Sequence, residues 1–166
     1  MRVEAAVDRE AGHERYFAMG FLFHAPTGKV LLHLRGDDAP SNPGLWHFFG
    51  GRSEAADGGD PVATWRREMR EELGVDLRRE HIVPLRAYEF FGRRRYTFYS
   101  PWPETRDFTV YERNAAAWYA VEEALALPNL VDRTRTDLEL FAGRLRSGRA
   151  MTHIDPAGAG PPTPSP

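Results

Sequence analysis

The chain has 166 residues and a formal net charge of -2, with 22 basic against 24 acidic residues. That length suits one domain with a sizeable core. The near-neutral balance argues against a sequence-independent nucleic-acid coat, which would read strongly basic. There is no cysteine, so disulfides and thiolate metal sites are excluded. The charged start MRVEAAVDREAGHERY is unlike a signal peptide, and the apolar run FAMGFLF is far too short to span a bilayer. These features lead to the expectation of a soluble, cytoplasmic protein. Lys29 is the single lysine, so 21 of the 22 basic residues are arginine. Arginine suits bidentate phosphate binding, but a GC-rich coding bias produces the same skew.

Residues 1–15 read as a polar lead-in. Tyr16 to His24 and Lys29 to Leu34 are β-rich runs separated by Pro26, Thr27 and Gly28, a hairpin signature. Residues 35–44 have no periodicity and read as a loop. Trp46 to Phe49 reads as a short strand ending at Gly50-Gly51, with a polar, glycine-rich loop following to Gly59. Asp60 reads as an N-cap with Pro61 in the first helical position. The predicted helix runs to Leu73, where Gly74 caps it. Strands are predicted at 82–91 and 95–100 with a turn around Gly92, and at Ala115 to Val121. A short helix near 122–127 stops before Pro128. A longer one at 132–146 carries Leu138, Phe141 and Leu145 on one stripe. Residues 147–166 are rich in Pro and Gly and read as a disordered tail. The expected domain is therefore 16–146.

The chemistry concentrates in Arg67 to Val75. At about 100° per residue, Glu68, Glu71 and Glu72 share an arc of about 100° on the helix. Val62, Trp65, Met69 and Leu73 form the neighbouring core-facing stripe. Glu68 and Glu72 are an i, i+4 like-charge pair, which costs a few tenths of a kcal/mol in an isolated helix. Arg67, four residues before Glu71, offsets only part of this. Two readings fit: a solvated charged face, or a hard-oxygen site for Mg²⁺ or Mn²⁺.

This segment resembles the Nudix hydrolase family, whose box reads G-x5-E-x7-R-E-U-x-E-E-x-G-U with U aliphatic. Arg67, Glu68, Glu71, Glu72 and Gly74 match the second half, with Met69 and Val75 at the U positions. The first half is irregular. Gly50-Gly51 matches the glycine pair, the loop to the helix is two residues longer, and Gly59 stands eight before Arg67 where the box has Glu. Asp60, next to it, could take over that role, although helix capping is its simpler job. The resemblance extends over about 16–146.

The resemblance implies an α/β (α+β) fold, an α/β/α sandwich with a mixed β-sheet between helices. It implies a metal-dependent hydrolase cleaving a phosphoanhydride of a nucleoside diphosphate linked to a group X, with Mg²⁺ or Mn²⁺ as cofactor. Glu71 and Glu72 would be principal metal ligands, and Glu68 a ligand or the general base. Arg67 would orient Glu68 or Glu71, and the Gly50 carbonyl would complete the coordination. A further carboxylate is expected after the box, Glu112 first and Glu89 second. Arg35 would meet a phosphate. Among the aromatics Tyr88, Phe90, Phe91, Tyr96, Phe98 and Tyr99, one alternate set faces the core, while Tyr88 and Phe90 are candidates to stack a base. Arg93, Arg94 and Arg95 are placed at a hairpin turn, where a solvated tip competes with phosphate steering by Arg93. The histidines His24, His33 and His47 read as structural.

The expected substrate is a small nucleotide, in first place a normal or oxidised nucleoside triphosphate. Alternatives are ADP-ribose or a nucleotide sugar, and a non-catalytic nucleotide-binding sensor. No nucleic-acid polymer or membrane partner is expected, and the protein would be a monomer or homodimer.

Overall fold

The computed structural model describes residues 14–110 and 114–152. Strand β1 (Tyr16–His24) is the axis of a seven-stranded sheet. It runs antiparallel to β2 (Lys29–Leu34) through Phe23↔Val30, and antiparallel to β4 (Phe49–Arg52) through Phe17↔Arg52 to Gly20↔Phe49. On its other side it pairs in parallel with β6 (Arg93–Pro101). Parallel pairing needs a long crossover, and helix α1 (Pro61–Leu73) lies within it. Beyond β6 lies β5 (Val83–Phe90). Beyond β2 lie β3 (Trp46–His47) and β7 (Ala115–Ala120). Helices α2 (Val121–Leu125) and α3 (Asp132–Arg146) complete the fold.

Strand alternation sorts the core into two layers. Ala18, Leu22, Leu31 and Phe98 point to one face and bury Trp65, Met69 and Leu73 of α1. Their sequence neighbours Phe21, Phe23, Leu32 and Tyr99 point to the other and meet Val121 and Ala124 of α2 and Leu138 and Phe141 of α3. The arrangement is the expected mixed sheet between helices. Among the described residues no helix is long and apolar enough to cross a membrane.

The α1 boundaries follow from local chemistry. The Asp60 carboxylate accepts the Val62 N–H at 3.0 Å, Pro61 opens the helix, and Gly74 closes it in the left-handed region at φ 67°. Three expectations are corrected. The strand at Trp46–Phe49 is two strands, and the second continues through Gly50-Gly51 instead of ending there. A Cβ at Gly50 would stand 2.1 Å from the Ala18 carbonyl oxygen, so the glycine lets the backbones pair closely. Arg93, Arg94 and Arg95 are not the hairpin turn. Phe91 and Gly92, with φ 51° and 72°, make the turn alone, as a two-residue hairpin requires. The arginines pair within β6, opposite Phe90, Glu89 and Tyr88. Chain expected to leave the domain at Ser147 stays against it further: Ala150 packs on the core and the Met151 N–H donates to the Tyr99 hydroxyl at 2.8 Å. Residues 153–166, the rest of the expected tail, lie outside the described residues, as does most of the lead-in.

Gly20 is a point of close approach between sheet and helix. A Cβ there would meet the Phe98 carbonyl oxygen at 2.4 Å and the Trp65 ring at 2.6 Å. Gly20→Ala is expected to destabilise the protein by about 1–3 kcal/mol, as overpacked cores do. Urea denaturation checks this, and an unchanged midpoint would show that the sheet and α1 can separate freely.

Candidate active site

The site is assembled where α1 crosses the end of β4. Trp65 and Met69 fix the helix rotation, because both are fully buried. That rotation turns Glu68 and Glu72 toward the glycine pair. The Glu72 Oε2 accepts the Gly50 N–H at 3.0 Å. Gly51 lies so close to Glu68 that a Cβ would stand 2.6 Å from its Oε1. Glu71 projects outward, with its side chain 55% exposed against 14% for Glu68.

Arg67 binds this cluster together. Its Nη1 donates to Glu68 Oε1 at 3.0 Å and to Glu71 Oε2 at 3.2 Å. Its Nη2 donates to the Arg52 carbonyl at 2.8 Å. Its Nε and Nη2 grip the two oxygens of Asp57 at 3.0 and 3.1 Å. Asp57 was missed in the sequence. Counting back from Arg67 leads to Gly59, but counting forward from Gly51 by the box spacing lands on Asp57. The two extra residues therefore lie after the acid, at Gly58-Gly59. Asp60, adjacent to Gly59, caps the helix and pairs with Arg79. Asp57 is buried and also accepts from the Thr64 hydroxyl at 2.8 Å and the Glu54 N–H at 2.8 Å.

Burial and charge set the protonation of these groups. Burial alone would push Asp57 up, but hydrogen bonds from Arg67, Glu54 and Thr64 outweigh it and hold the carboxyl below its usual value. Glu68 is raised, by burial first and against the opposing pull of Arg67. Glu72 is pushed up to about 8, by burial and then by Glu68, against the Gly50 N–H.

Among the described residues no three His, Asp or Glu side chains converge as a ready cage for a cation. Arg67 stands between Glu68 and Glu71 as their counter-ion. The donor chemistry nonetheless suits a divalent cation. Two half-buried carboxylates disfavour each other's charge on one face, glycine backbone approaches both, and every donor is a hard oxygen.

Beside the glycine pair opens a cleft of about 550 Å³. Its walls come from β1 (Phe17, Met19), the β2 end (Arg35), β4 (Gly50 to Arg52), β5 and its turn (Tyr88, Phe90, Phe91), β6 (Arg95) and α3 (Arg133, Thr134, Asp137). Arg35, Tyr88 and Phe90 thus meet in one cavity. Arg93 does not line it, although its guanidinium lies 5.8 Å from the Phe17 ring. Glu89 is exposed and stands opposite Arg94. Glu112 lies outside the described residues. Arg133 and Asp137 carried no sequence signal, because only the fold of α3 over β5 brings them here. Asp137 is buried and accepts from Arg86 Nε at 2.6 Å. His47 lines the cleft wall and the His33 ring lies tilted beside it; burial drives their pKa values down to about 3 and about 4, so both are neutral.

A family model described as NUDIX domain matches residues 15–140. The chain belongs to the Nudix family. Solved structures agree with this Nudix assignment. The Escherichia coli ORF135 protein is 28% identical over 81% of this chain and 93% of its own, with a TM-score of 0.59. A MutT NUDIX hydrolase from Burkholderia pseudomallei is 26% identical over 74% of this chain and 95% of its own, with a TM-score of 0.52. The E. coli dihydroneopterin triphosphate pyrophosphohydrolase shares the fold at 22% identity, covering 76% and 93%, with a TM-score of 0.61. No curated protein matches the sequence. The chain is a Nudix hydrolase.

Two outcomes follow for stability. The Glu72 carboxyl has a folded pKa of about 8, against about 4.5 unfolded, so the folded state holds the extra proton between those values. Stability of the metal-free protein is therefore expected to fall as pH rises from about 5 to 8. Thermal denaturation in chelator checks this, and Glu72→Gln should flatten the slope. Asp57→Ala leaves the Arg67 guanidinium without its main partner and is expected to cost about 3 kcal/mol; a loss below about 0.5 kcal/mol in denaturant titration would contradict the role assigned to the pair.

Proposed function

We propose that the protein is a divalent-metal-dependent pyrophosphohydrolase of nucleoside triphosphates, normal or oxidised. The observation that carries the reading is that Gly50 and Gly51, which Glu72 and Glu68 approach from α1, line an arginine-bearing cleft. A triphosphate is also the substrate named for one fold neighbour, dihydroneopterin triphosphate pyrophosphohydrolase.

In this reading Glu68, Glu71, Glu72 and the Gly50 carbonyl hold Mg²⁺ or Mn²⁺, with Glu112 as a further ligand. When bound, the ion supplies charge neutralisation at the phosphate oxygens and a lowered pKa for the attacking water. Glu68 acts as general base. Arg67 Nη1 fixes its Oε1, which leaves Oε2 to take the proton from water. The raised pKa of Glu68 brings it closer to the operating pH, as a base requires. Arg67 is a positioning residue, tied to the loop through Asp57 and the Arg52 carbonyl. Arg35 lines the cleft and weakens the upward shift of Glu72, and in this reading it meets a phosphate of the substrate. Tyr88 and Phe90 form cleft wall, and Arg93 lies beside the Phe17 ring at the start of β6.

The test is a panel of nucleoside triphosphates and nucleotide sugars with Mg²⁺ or Mn²⁺ and an assay separating pyrophosphate from phosphate. Pyrophosphate release from a triphosphate, lost on chelation, is expected. Glu68→Gln should lower kcat by about 10²–10⁴-fold, and Glu72→Gln should abolish the metal-dependent activity. Cleavage of ADP-ribose without any triphosphate would replace this reading with the nucleotide-sugar one. Binding without turnover would point to a sensor.

A further inference from the structure

The cleft holds more positive charge than its walls balance. Arg35, Arg95 and Arg133 all line it, and among the described residues none of the three has a carboxylate partner. Its one buried carboxylate, Asp137, is already paired with Arg86 at 2.6 Å. Aromatic rings hold the guanidinium groups of Arg95 and Arg133 in place. Arg133 lies 3.9 Å from the Phe90 centroid, and Arg95 lies 5.2 Å from the same ring and 4.5 Å from Phe17. The Tyr88 ring is covered in the same way by Arg86 at 3.9 Å. The rings that sequence alone assigns to a base therefore already carry arginines. Stacking on an aromatic face leaves the guanidinium edge, with its fork of donors, directed along the ring plane. The Nε atoms of Arg35 and Arg95 are buried without a hydrogen-bond acceptor, and such donors carry a desolvation cost. Burial and then the nearby Arg133 also pull the Arg95 pKa below its ordinary value. A neutral base edge would satisfy donors but would not compensate two adjacent cations. A phosphate does both.

We propose that Arg95 and Arg133, stacked on Phe90, form a subsite for a phosphate group of the substrate beyond the scissile anhydride. Two sources share this chemistry: the chain-terminal phosphate of a nucleoside triphosphate, and a monophosphate on a ribose. The proposal rests on the pyrophosphohydrolase reading for the word substrate, but its test does not require turnover. It also sets ADP-ribose, which has no such phosphate, behind the triphosphates.

The test is calorimetric titration of the full chain in chelator with two matched pairs. NAD⁺ and NADP⁺ differ by one ribose phosphate, and ADP and ATP by one chain phosphate. At least one pair should show a preference of about tenfold or more for the extra phosphate, equivalent to about 1.4 kcal/mol. Preference for NADP⁺ assigns the subsite to a ribose phosphate, and preference for ATP to the chain end. In Arg95→Gln/Arg133→Gln the preferred pair should bind within about twofold of each other. Should the double variant fail to fold, Arg133→Gln alone must cut the preference by at least about threefold. Equal binding within both pairs, or a preference that survives these substitutions, overturns the proposal. Failure of hydrolysis with the preference intact would remove the pyrophosphohydrolase reading and leave the subsite.

Discussion

The bidentate grip of Arg67 on Asp57 is the constraint on which the site depends. Asp57 sits on the loop after β4, and Arg67 is on the second turn of α1. Their two parallel hydrogen bonds are the strong, directional kind. With the rest of the guanidinium bound to the Arg52 carbonyl, Glu68 and Glu71, one side chain fixes strand end, loop and helix in a common frame. The hydroxyls of Thr64 and Tyr16 extend that frame into β1 at 2.8 and 2.9 Å. Without it, the acidic face would belong to a helix held to the sheet by apolar packing and by the single hydrogen bonds of Trp65 to the Phe49 carbonyl and of the Gly50 N–H to Glu72.

The legibility of the molecule in its sequence follows the range of the interactions. Helix α1 is readable almost to the residue, because Asp60, Pro61 and Gly74 act on their own neighbours. The apolar stripe of Trp65, Met69 and Leu73 is a local periodicity, and so is the acidic arc beside it. The β1–β2 hairpin is equally local. Asp57 was obscured by an insertion: a spacing counted from the helix crosses Gly58-Gly59 and lands on the wrong residue. The same count from Gly51 stays within the loop. The continuation of β4 through two glycines is also nonlocal, since Ala18 crowds Gly50 and Glu68 crowds Gly51.

The cleft was the least legible part. Its arginines come from the end of β2, the start of β6 and the first turn of α3, positions up to about a hundred residues apart in the chain. No pattern within one segment predicts that they share a cavity. The misplaced hairpin turn shows the same limit on a small scale. A turn is recognised by its glycine, but its length decides whether Arg95 is a solvated tip or a strand residue facing a cavity. Here Phe91 accepts a left-handed conformation unfavourable to a bulky side chain, and the turn closes in two residues.

The net charge of -2 conceals a separation of sign across the glycine pair. On one side, Glu68, Glu71 and Glu72 crowd carboxylates until burial raises the pKa values of two of them. On the other, Arg35, Arg95 and Arg133 line one cleft, the last two against aromatic rings. Each cluster is unfavourable to itself, and Arg35 offsets only part of the upward shift of Glu72. A ligand that places a cation against the first and anionic oxygens against the second relieves both at once. A metal-complexed polyphosphate has that distribution of charge, whereas a neutral sugar extending into the cleft would leave the arginine side uncompensated. The glycines matter here for what they lack. Without side chains at Gly50 and Gly51, the two fields meet across bare backbone, and a phosphate chain can lie in both.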